Sequence, residues 1–168
     1  MELRLRPYRV EDEAAALAIN EAMVADDFQF LLGWNESISW PQFLAALEDQ
    51  RRGRTLRDDQ VRAVQLAADV GGELVGRVSI RFELNEFLAA RGGHIGYGVA
   101  PAHRRRGYAS EILRQALVVI RAEGVSPVLV TCDEENDGSA RAIERNGGIY
   151  ESSVDDEEGH RIRRYWIW

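Results

Sequence analysis

Residues 94–110 carry the sequence HIGYGVAPAHRRRGYAS, and this stretch decides how the rest of the chain is organised. Its glycine-spaced first half predicts a strand that Pro101 stops, and its second half predicts a basic turn followed by an amphipathic helix. The first N–H groups of a helix have no partner inside the helix and lie at the positive end of its dipole, so they can hold an anion. Gly107 has no Cβ and tolerates a positive φ, which lets the turn pass close to a phosphate. The pattern therefore indicates either a phosphate-binding turn or a solvated run of arginines before an ordinary helix.

The composition fits one domain with a sizeable core. The chain has 168 residues, of which 45% are hydrophobic, and we expect a single domain over residues 1–168. Its formal net charge is −7, from 28 acidic and 21 basic residues, and every basic residue is an arginine. An acidic surface disfavours nucleic acid, whose binding depends on neutralised phosphates, and favours a cationic partner such as an amine. Against this background the arginines of the basic turn indicate a small anionic ligand.

Several classes of protein are disfavoured by the sequence. No run approaches the roughly 18 consecutive apolar residues of a membrane helix, and residues 1–6 lack the apolar core of a signal peptide. Cys132 is the only cysteine, and it lies in an apolar stretch where a thiol is normally inert packing. The three histidines, at positions 94, 103 and 160, are too scattered to predict a metal site. We therefore expect a cytoplasmic protein without membrane contact or bound metal.

The hydrophobic periodicity predicts a mixed α/β sheet with the element order β-α-α-β-β-β-α-β-α-β-β. Strands are expected at residues 3–6, 61–70, 73–83, 94–99, 127–133, 149–154 and 161–168. Helices are expected at residues 11–25, 41–52 and 107–123, and a short helix starts within 136–139 and ends at 146. The last strand looks exposed and could pair between subunits, so we expect a monomer or a homodimer.

Two motifs stand at defined places in this order. The sequence RRRGYA at residues 104–109 directly follows a strand that ends in Val99-Ala100-Pro101, and Asn136 follows the next strand, with a helix and Gly147 after it. In these motifs and in element order, the chain resembles the GNAT N-acetyltransferase superfamily over essentially its whole length, within a branch of predicted acetyltransferases. The most specific GNAT motif is Gln/Arg-x-x-Gly-x-Gly/Ala at a helix start.

The resemblance implies a GNAT-like acyl-CoA N-acyltransferase fold with acetyl-CoA as co-substrate. By similarity, the main chain around Val99 pairs with pantetheine, the N–H groups of residues 105–109 bind the pyrophosphate, and Asn136 contacts pantetheine. The acetyl group passes to a primary amine of a small molecule or peptide by direct attack in a ternary complex. The expected cofactor-binding residues are Val99, Arg104, Arg105, Arg106, Gly107, Tyr108, Ala109, Asn136 and Ser139.

One position departs from the family pattern. Many members carry a tyrosine on the helix after the asparagine, where it protonates the leaving thiolate, and this chain has Ile143 there. Water, another side chain or no group at all would then take that role. The departure keeps open a second possibility, a catalytically weak or inactive acyl-CoA-binding module of the same fold. An enzyme that uses a different acyl group is a third.

His94 and Glu83 are the candidate catalytic residues. His94 begins the central strand where some relatives carry a glutamate that acts as a base through water, and its ordinary pKa of about 6.5 suits proton removal from an amine. By strand alternation it points with Gly96 and Gly98, on a face free of bulk. The alternative is a structural histidine that holds the loop at residues 91–93. Glu83 ends the preceding strand and either reaches the same pocket or is a surface carboxylate.

An aromatic segment at residues 26–34 has no clear period. It contains two acidic residues, Asp26 and Asp27, followed by aromatic and leucine side chains. It predicts either the wall of an acceptor pocket with the acidic residues at its mouth, or core aromatics that seat a helix on the sheet.

Overall fold

The computed structural model describes residues 2–168, and seven strands form one sheet in the order β1-β2-β3-β4-β5-β7-β6. The strands are β1 (Leu3–Arg6), β2 (Ala63–Val70), β3 (Glu73–Arg81), β4 (Ile95–Val99), β5 (Val128–Asp133), β6 (Ile149–Asp155) and β7 (Arg161–Ile167). The helices are α1 (Glu13–Met23), α2 (Trp40–Arg51), α3 (Tyr108–Ala122) and α4 (Asp137–Arg145). The predicted fold class and order of elements are confirmed.

Most element ends differ from the prediction by one or two residues. Short 3₁₀ turns at Val10–Asp12 and Val24–Asp26 flank α1, where the sequence pattern predicted continuous helix. Helix α2 begins at Trp40, because Ser39 and Gln42 form a reciprocal capping box ahead of it. A short π-helical turn, Leu88–Gly92, lies in the connection to β4 and was not predicted.

Two hydrophobic clusters cover opposite faces of the sheet. Neighbouring Ala67 and Ala68 of β2 point to opposite sides, and each belongs to a different cluster. One cluster contains the buried stripe of α3, with Ile112, Leu113, Ala116, Leu117 and Ile120. The other contains Trp40 and Phe43 of α2 together with Phe30 and Leu31 of the preceding loop. Full burial of each large side chain contributes about 1.5–3 kcal/mol.

The pairing between β4 and β5 opens the sheet at its centre. All other neighbouring strands are antiparallel, whereas β4 and β5 are parallel and share the single register pair Ile95↔Val130. Just before this pair, the His94 N–H donates to the Leu129 carbonyl at 2.8 Å. The two strands then separate, so the β5-facing edge of β4 has no strand partner beyond Ile95. Within residues 2–168, no helix is both long and apolar enough to cross a membrane.

Candidate active site

A cavity of about 720 Å³ opens where β4 and β5 separate. Its walls come from residues 23–28 after α1, 97–99 of β4, 103–110 around the start of α3, and 133–145 around α4. Eight of the nine predicted cofactor-binding residues line it, namely Val99, Arg104, Arg105, Gly107, Tyr108, Ala109, Asn136 and Ser139. The ninth, Arg106, is exposed and is not among the residues that line the cavity.

The turn before α3 has the backbone geometry of an anion site. Gly107 has φ +82° and Arg105 has φ +63°, while Arg106 between them has a negative φ. Alternating handedness of this kind directs consecutive N–H groups into a concave anion-binding site. Gly107 also has no side chain with which to cap the helix, so the first N–H groups of α3 stay available to a ligand. Arg105 is the less expected feature, because a left-handed conformation strains a residue with a Cβ.

The open edge of β4 lies beside this turn. The Ala100 N–H donates to the Val75 carbonyl of β3 at 2.8 Å, so the peptide groups of Val99, one residue earlier, face the β5 side. There the Arg104 side chain donates to the Val99 carbonyl at 3.3 Å. An unpaired strand edge of this kind can hydrogen-bond an extended ligand as an added strand would.

Two hydroxyl groups meet at the inner end of the cavity. The Tyr97 hydroxyl of β4 lies 2.7 Å from Ser139 Oγ of α4. Burial raises the pKa of Tyr97 above its ordinary value, so the phenol is protonated near neutral pH. Burial also raises the pKa of the neighbouring Cys132 to about 11, which keeps its thiol protonated. This agrees with the expectation that Cys132 is packing and not a nucleophile.

Helix α4 is held against the cavity at both ends. At its start, Asn136 Oδ1 accepts a hydrogen bond from the Ser139 N–H at 3.0 Å and caps the helix. At its end, Asn146 Nδ2 donates to the Ser110 carbonyl in the first turn of α3 at 3.1 Å. This places Arg141 and Arg145, one helical turn apart, in the cavity wall beside the anion-binding turn. Neither arginine was among the predicted site residues, although their i,i+4 spacing after Asn136 is a signal that the sequence carries.

Phe28 forms the wall on the α1 side. Its ring lies over Gly98, where a Cβ would come within 2.5 Å of the ring. The Arg77 guanidinium is 4.5 Å from the ring centre and donates to the carbonyls of Phe30 and Gln29 at 2.9 and 2.8 Å. Burial lowers the pKa of Arg77 to about 10, so the guanidinium remains charged. The aromatic segment therefore contributes Phe28 to the cavity wall and Phe30 to the core. That this wall belongs to an acceptor pocket stays a prediction.

His94 is buried between β4 and β5, and the expectation that its side chain faces a pocket is wrong. Its Nδ1 accepts a hydrogen bond from the Leu129 N–H at 2.9 Å. The space beside Gly96 is filled by the Arg81 guanidinium. Burial, and then the charge of Arg81, lower the pKa of His94, which keeps the imidazole neutral as this bond requires. The geometry favours the structural alternative, and a role as base stays a prediction.

Glu83 lies on the surface after β3. It is exposed, and within residues 2–168 neither it nor His94 lines the cavity. Its catalytic role also stays a prediction, without support from the cavity geometry.

The comparison with family models decides what kind of protein this is. A model described as the acetyltransferase (GNAT) domain matches residues 2–149. This chain belongs to the GNAT acetyltransferase family. The resemblance noted in the sequence is thus confirmed, and acetyl-CoA is the co-substrate of such a domain.

Solved structures share the fold of this GNAT domain. RimJ from Mycobacterium smegmatis, in complex with CoA-disulfide, is 22% identical, with a TM-score of 0.75 over 98% of this chain and 81% of that chain. The ribosomal alpha-N-protein acetyltransferase RimL, in complex with coenzyme A, is 18% identical, with a TM-score of 0.67 over 98% and 92%. The spermidine/spermine N-acetyltransferase SpeG from Vibrio cholerae is 18% identical, with a TM-score of 0.66 over 99% and 94%. No curated protein matches the chain in sequence.

The departure at Ile143 has a structural basis in this GNAT domain. Ile143 is fully buried in the cluster under α3, and a Cβ on Gly148 would come within 2.4 Å of its side chain. The position aligned with the family's tyrosine therefore faces the core, whereas Ser139, Arg141, Ala142 and Arg145 of the same helix line the cavity. A proton donor to a leaving group would therefore be a residue other than Ile143, or water.

Proposed function

We propose that this chain is an N-acetyltransferase that moves the acetyl group of acetyl-CoA to a primary amine by direct attack in a ternary complex. One observation carries the proposal: the open edge of β4 runs from the anion-binding turn to the hydroxyl pair of Tyr97 and Ser139. A site that binds a diphosphate, an extended amide chain and a reacting thioester needs these three parts in this order.

The residues present suit acetyl-CoA chemically. The N–H groups of residues 105–109 and the guanidinium groups of Arg104 and Arg105 would hold the pyrophosphate. The space that a Cβ on Gly107 would occupy is open, since no atom of residues 2–168 lies within 4 Å of that position. The unpaired edge at Val99 would hydrogen-bond the amides of pantetheine, and Arg141 and Arg145 add positive charge beside the turn.

The proposed reaction transfers an acetyl group from the sulfur of CoA to the nitrogen of an amine. Bound acetyl-CoA supplies a thioester whose carbonyl carbon gains a bond to the amine nitrogen as its C–S bond breaks, while the amine loses a proton and the thiolate gains one. This chain holds both partners at the opening between β4 and β5, which replaces a bimolecular encounter with a fixed geometry. Direct attack by the amine needs no acyl-enzyme. Cys132 is unsuited to form one, because its thiol is protonated and buried.

Tyr97 and Ser139 are the groups we assign to the leaving thiolate. The two hydroxyl groups carry two hydrogens: one is used between them, and the other can be donated to the Ser139 carbonyl, 3.4 Å from the Tyr97 hydroxyl, or to a bound substrate. Because burial raises the pKa of Tyr97, the pair keeps both protons near neutral pH. It can therefore donate a hydrogen bond, or a proton through it, from a position that Ile143 cannot reach.

The acidic residues of the cavity wall support a cationic amine as acceptor. Asp26, Asp27 and Asp133 line the cavity together with the ring of Phe28. Carboxylates attract an ammonium group, and the net charge of −7 strengthens that attraction. Two of the structural neighbours carry the names of a protein α-amine acetyltransferase and a spermidine/spermine acetyltransferase, which supports a terminal amino group or a polyamine as acceptor class.

Calorimetric titration with CoA and a thiol-release assay together test the proposal. We expect saturable CoA binding, and free thiol that forms only when acetyl-CoA and an amine are both present. The amines would include spermidine, free amino acids and short peptides with free N-termini. Thiol release that needs no amine would contradict acetyl transfer to an amine, and CoA binding without turnover across the panel would favour the acyl-CoA-binding module.

A further inference from the structure

Arg104 joins the two walls of the cavity mouth. Its Nη2 donates to Asp26 Oδ2 on the α1 side at 2.8 Å, and its Nε donates to the Val99 carbonyl of β4 at 3.3 Å. The two side chains of the ion pair are 42% and 47% exposed. One guanidinium thus neutralises an acidic group of the cavity wall and covers the free edge of the strand.

Both contacts of Arg104 lie where acetyl-CoA has to bind under the proposed function. The pyrophosphate belongs at residues 105–109, directly beside Arg104, and a phosphate binds a guanidinium more strongly than an exposed carboxylate does. The Val99 carbonyl is the group that a pantetheine amide would use. An ion pair as exposed as this one contributes little, at most about five-fold in an equilibrium constant, so a diphosphate can displace it.

The displacement changes the charge of the cavity wall. Without Arg104, the Asp26 carboxylate loses its counter-charge and stands in the cavity wall next to Asp27. The cavity wall then gains one uncompensated negative charge. An ammonium group would bind more tightly in that state, and linkage requires the two affinities to rise by the same factor.

We propose that Arg104 is a switch that acetyl-CoA operates: the pyrophosphate takes the guanidinium from Asp26, and the freed Asp26 carboxylate then binds the ammonium group of the acceptor. The inference rests on the proposed function and adds Asp26 to it as the acceptor-binding carboxylate. Asp27 lines the same cavity and is adjacent in sequence, so it is the matched control for Asp26.

Calorimetric titration of the full chain with CoA tests the first half. Asp26→Asn releases Arg104 and should tighten CoA binding about two- to five-fold more than Asp27→Asn, which removes the same charge. In the Arg104→Gln background, Asp26→Asn and Asp27→Asn should change the CoA affinity by the same factor. Equal effects of the two variants in the presence of Arg104 would overturn the switch. Arg161→Gln, which breaks the exposed pair with Asp155 at 3.4 Å, should leave CoA affinity unchanged.

Titration with spermidine as a cationic probe tests the second half. The unaltered protein should bind spermidine several-fold more tightly when CoA is saturating, and Asp26→Asn should abolish that difference while Asp27→Asn retains it. A spermidine affinity that is independent of CoA would overturn the switch. Absence of CoA binding by the unaltered protein would overturn the proposed function as well, whereas CoA binding without acetyl transfer would contradict only the proposed function.

Discussion

The Tyr97 hydroxyl, on the central strand, lies 2.7 Å from Ser139 Oγ, on the helix that follows the next strand. The two side chains link β4 to α4 beside the opening between β4 and β5, whereas the family's usual tyrosine position is occupied by the buried Ile143. The pair thus provides hydroxyl groups from two different elements at the inner end of the cavity.

Loss of the hydroxyl pair should slow the reaction and leave cofactor binding intact. Tyr97→Phe and Ser139→Ala each remove one hydroxyl, and we expect kcat to fall by about ten- to a hundred-fold, since a thiolate leaves without full protonation. The two changes act on one unit, so the double variant should be little worse than either single one. Thiol release measures kcat, and calorimetry with CoA measures binding.

Tyr150 offers a matched control. Its hydroxyl lies 2.8 Å from Ser153 Oγ, but this pair is on the exposed strand β6 and outside the cavity wall. Tyr150→Phe should leave kcat unchanged. If Tyr97→Phe left kcat equally unchanged, the assignment of the hydroxyl pair would be withdrawn.

Gly107→Val should abolish tight CoA binding. A β-branched residue resists φ +82°, so the turn would rearrange and its N–H groups would no longer converge. Gly159 is the control, because it has φ +83° in the β6–β7 turn and, like Gly107, no atom within 4 Å of an added Cβ. Both valine variants should lose about 1–2 kcal/mol of stability. Only Gly107→Val should weaken CoA binding, by roughly tenfold or more, and equal CoA affinities would remove the turn from the site.

Gly98→Ala tests the contact that fixes the cavity wall. Its Cβ would meet the Phe28 ring at 2.5 Å, so we expect a loss of about 1–3 kcal/mol in the free energy of unfolding from urea titration. In a Phe28→Ala background the same substitution should cost less than half of that, because the ring is absent. An equal cost in both backgrounds would show that Gly98 is needed for another reason.

His94 should make stability depend on pH. Its pKa is lowered in the folded state, so the unfolded chain takes up the proton first as pH falls through about 6.5, and the folded state loses stability below that pH. The loss reaches at most about 1.4 kcal/mol for each further pH unit. Urea titrations between pH 5.5 and 8 measure it.

His94→Gln keeps a side-chain oxygen that can accept the Leu129 N–H and cannot titrate. It should show a flatter stability profile over that pH range than the unaltered protein does. The pH dependence of thiol release in His94→Gln decides the remaining question. If the pH dependence of thiol release changed in His94→Gln, His94 would act as a base despite its burial.

The fold was predictable because its signals are local. The stripe of α3, the apolar run of β5 and the left-handed Gly107 each follow from a few neighbouring residues, and the order of elements follows from these signals. The anion-binding turn was predictable for the same reason. The ends of the strands and the capping box at Ser39 were harder to predict, because they depend on single hydrogen bonds.

The reacting end of the site was less predictable, because it depends on distant parts of the chain. Strand alternation predicted that His94 faces a pocket together with Gly96 and Gly98, but it could not show that the Arg81 guanidinium lies beside Gly96 or that the Leu129 N–H donates to the imidazole. The meeting of Tyr97 and Ser139 joins residues 42 positions apart. Oligomeric state and cellular location stay predictions.

The most direct test of the central claim is thiol release from acetyl-CoA by the unaltered protein against a panel of primary amines. We predict release that requires the protein and an amine together, saturates in both substrates, and falls in Tyr97→Phe and Gly107→Val but not in Tyr150→Phe and Gly159→Val. Calorimetric CoA binding with no amine-dependent release from any member of the panel would contradict it.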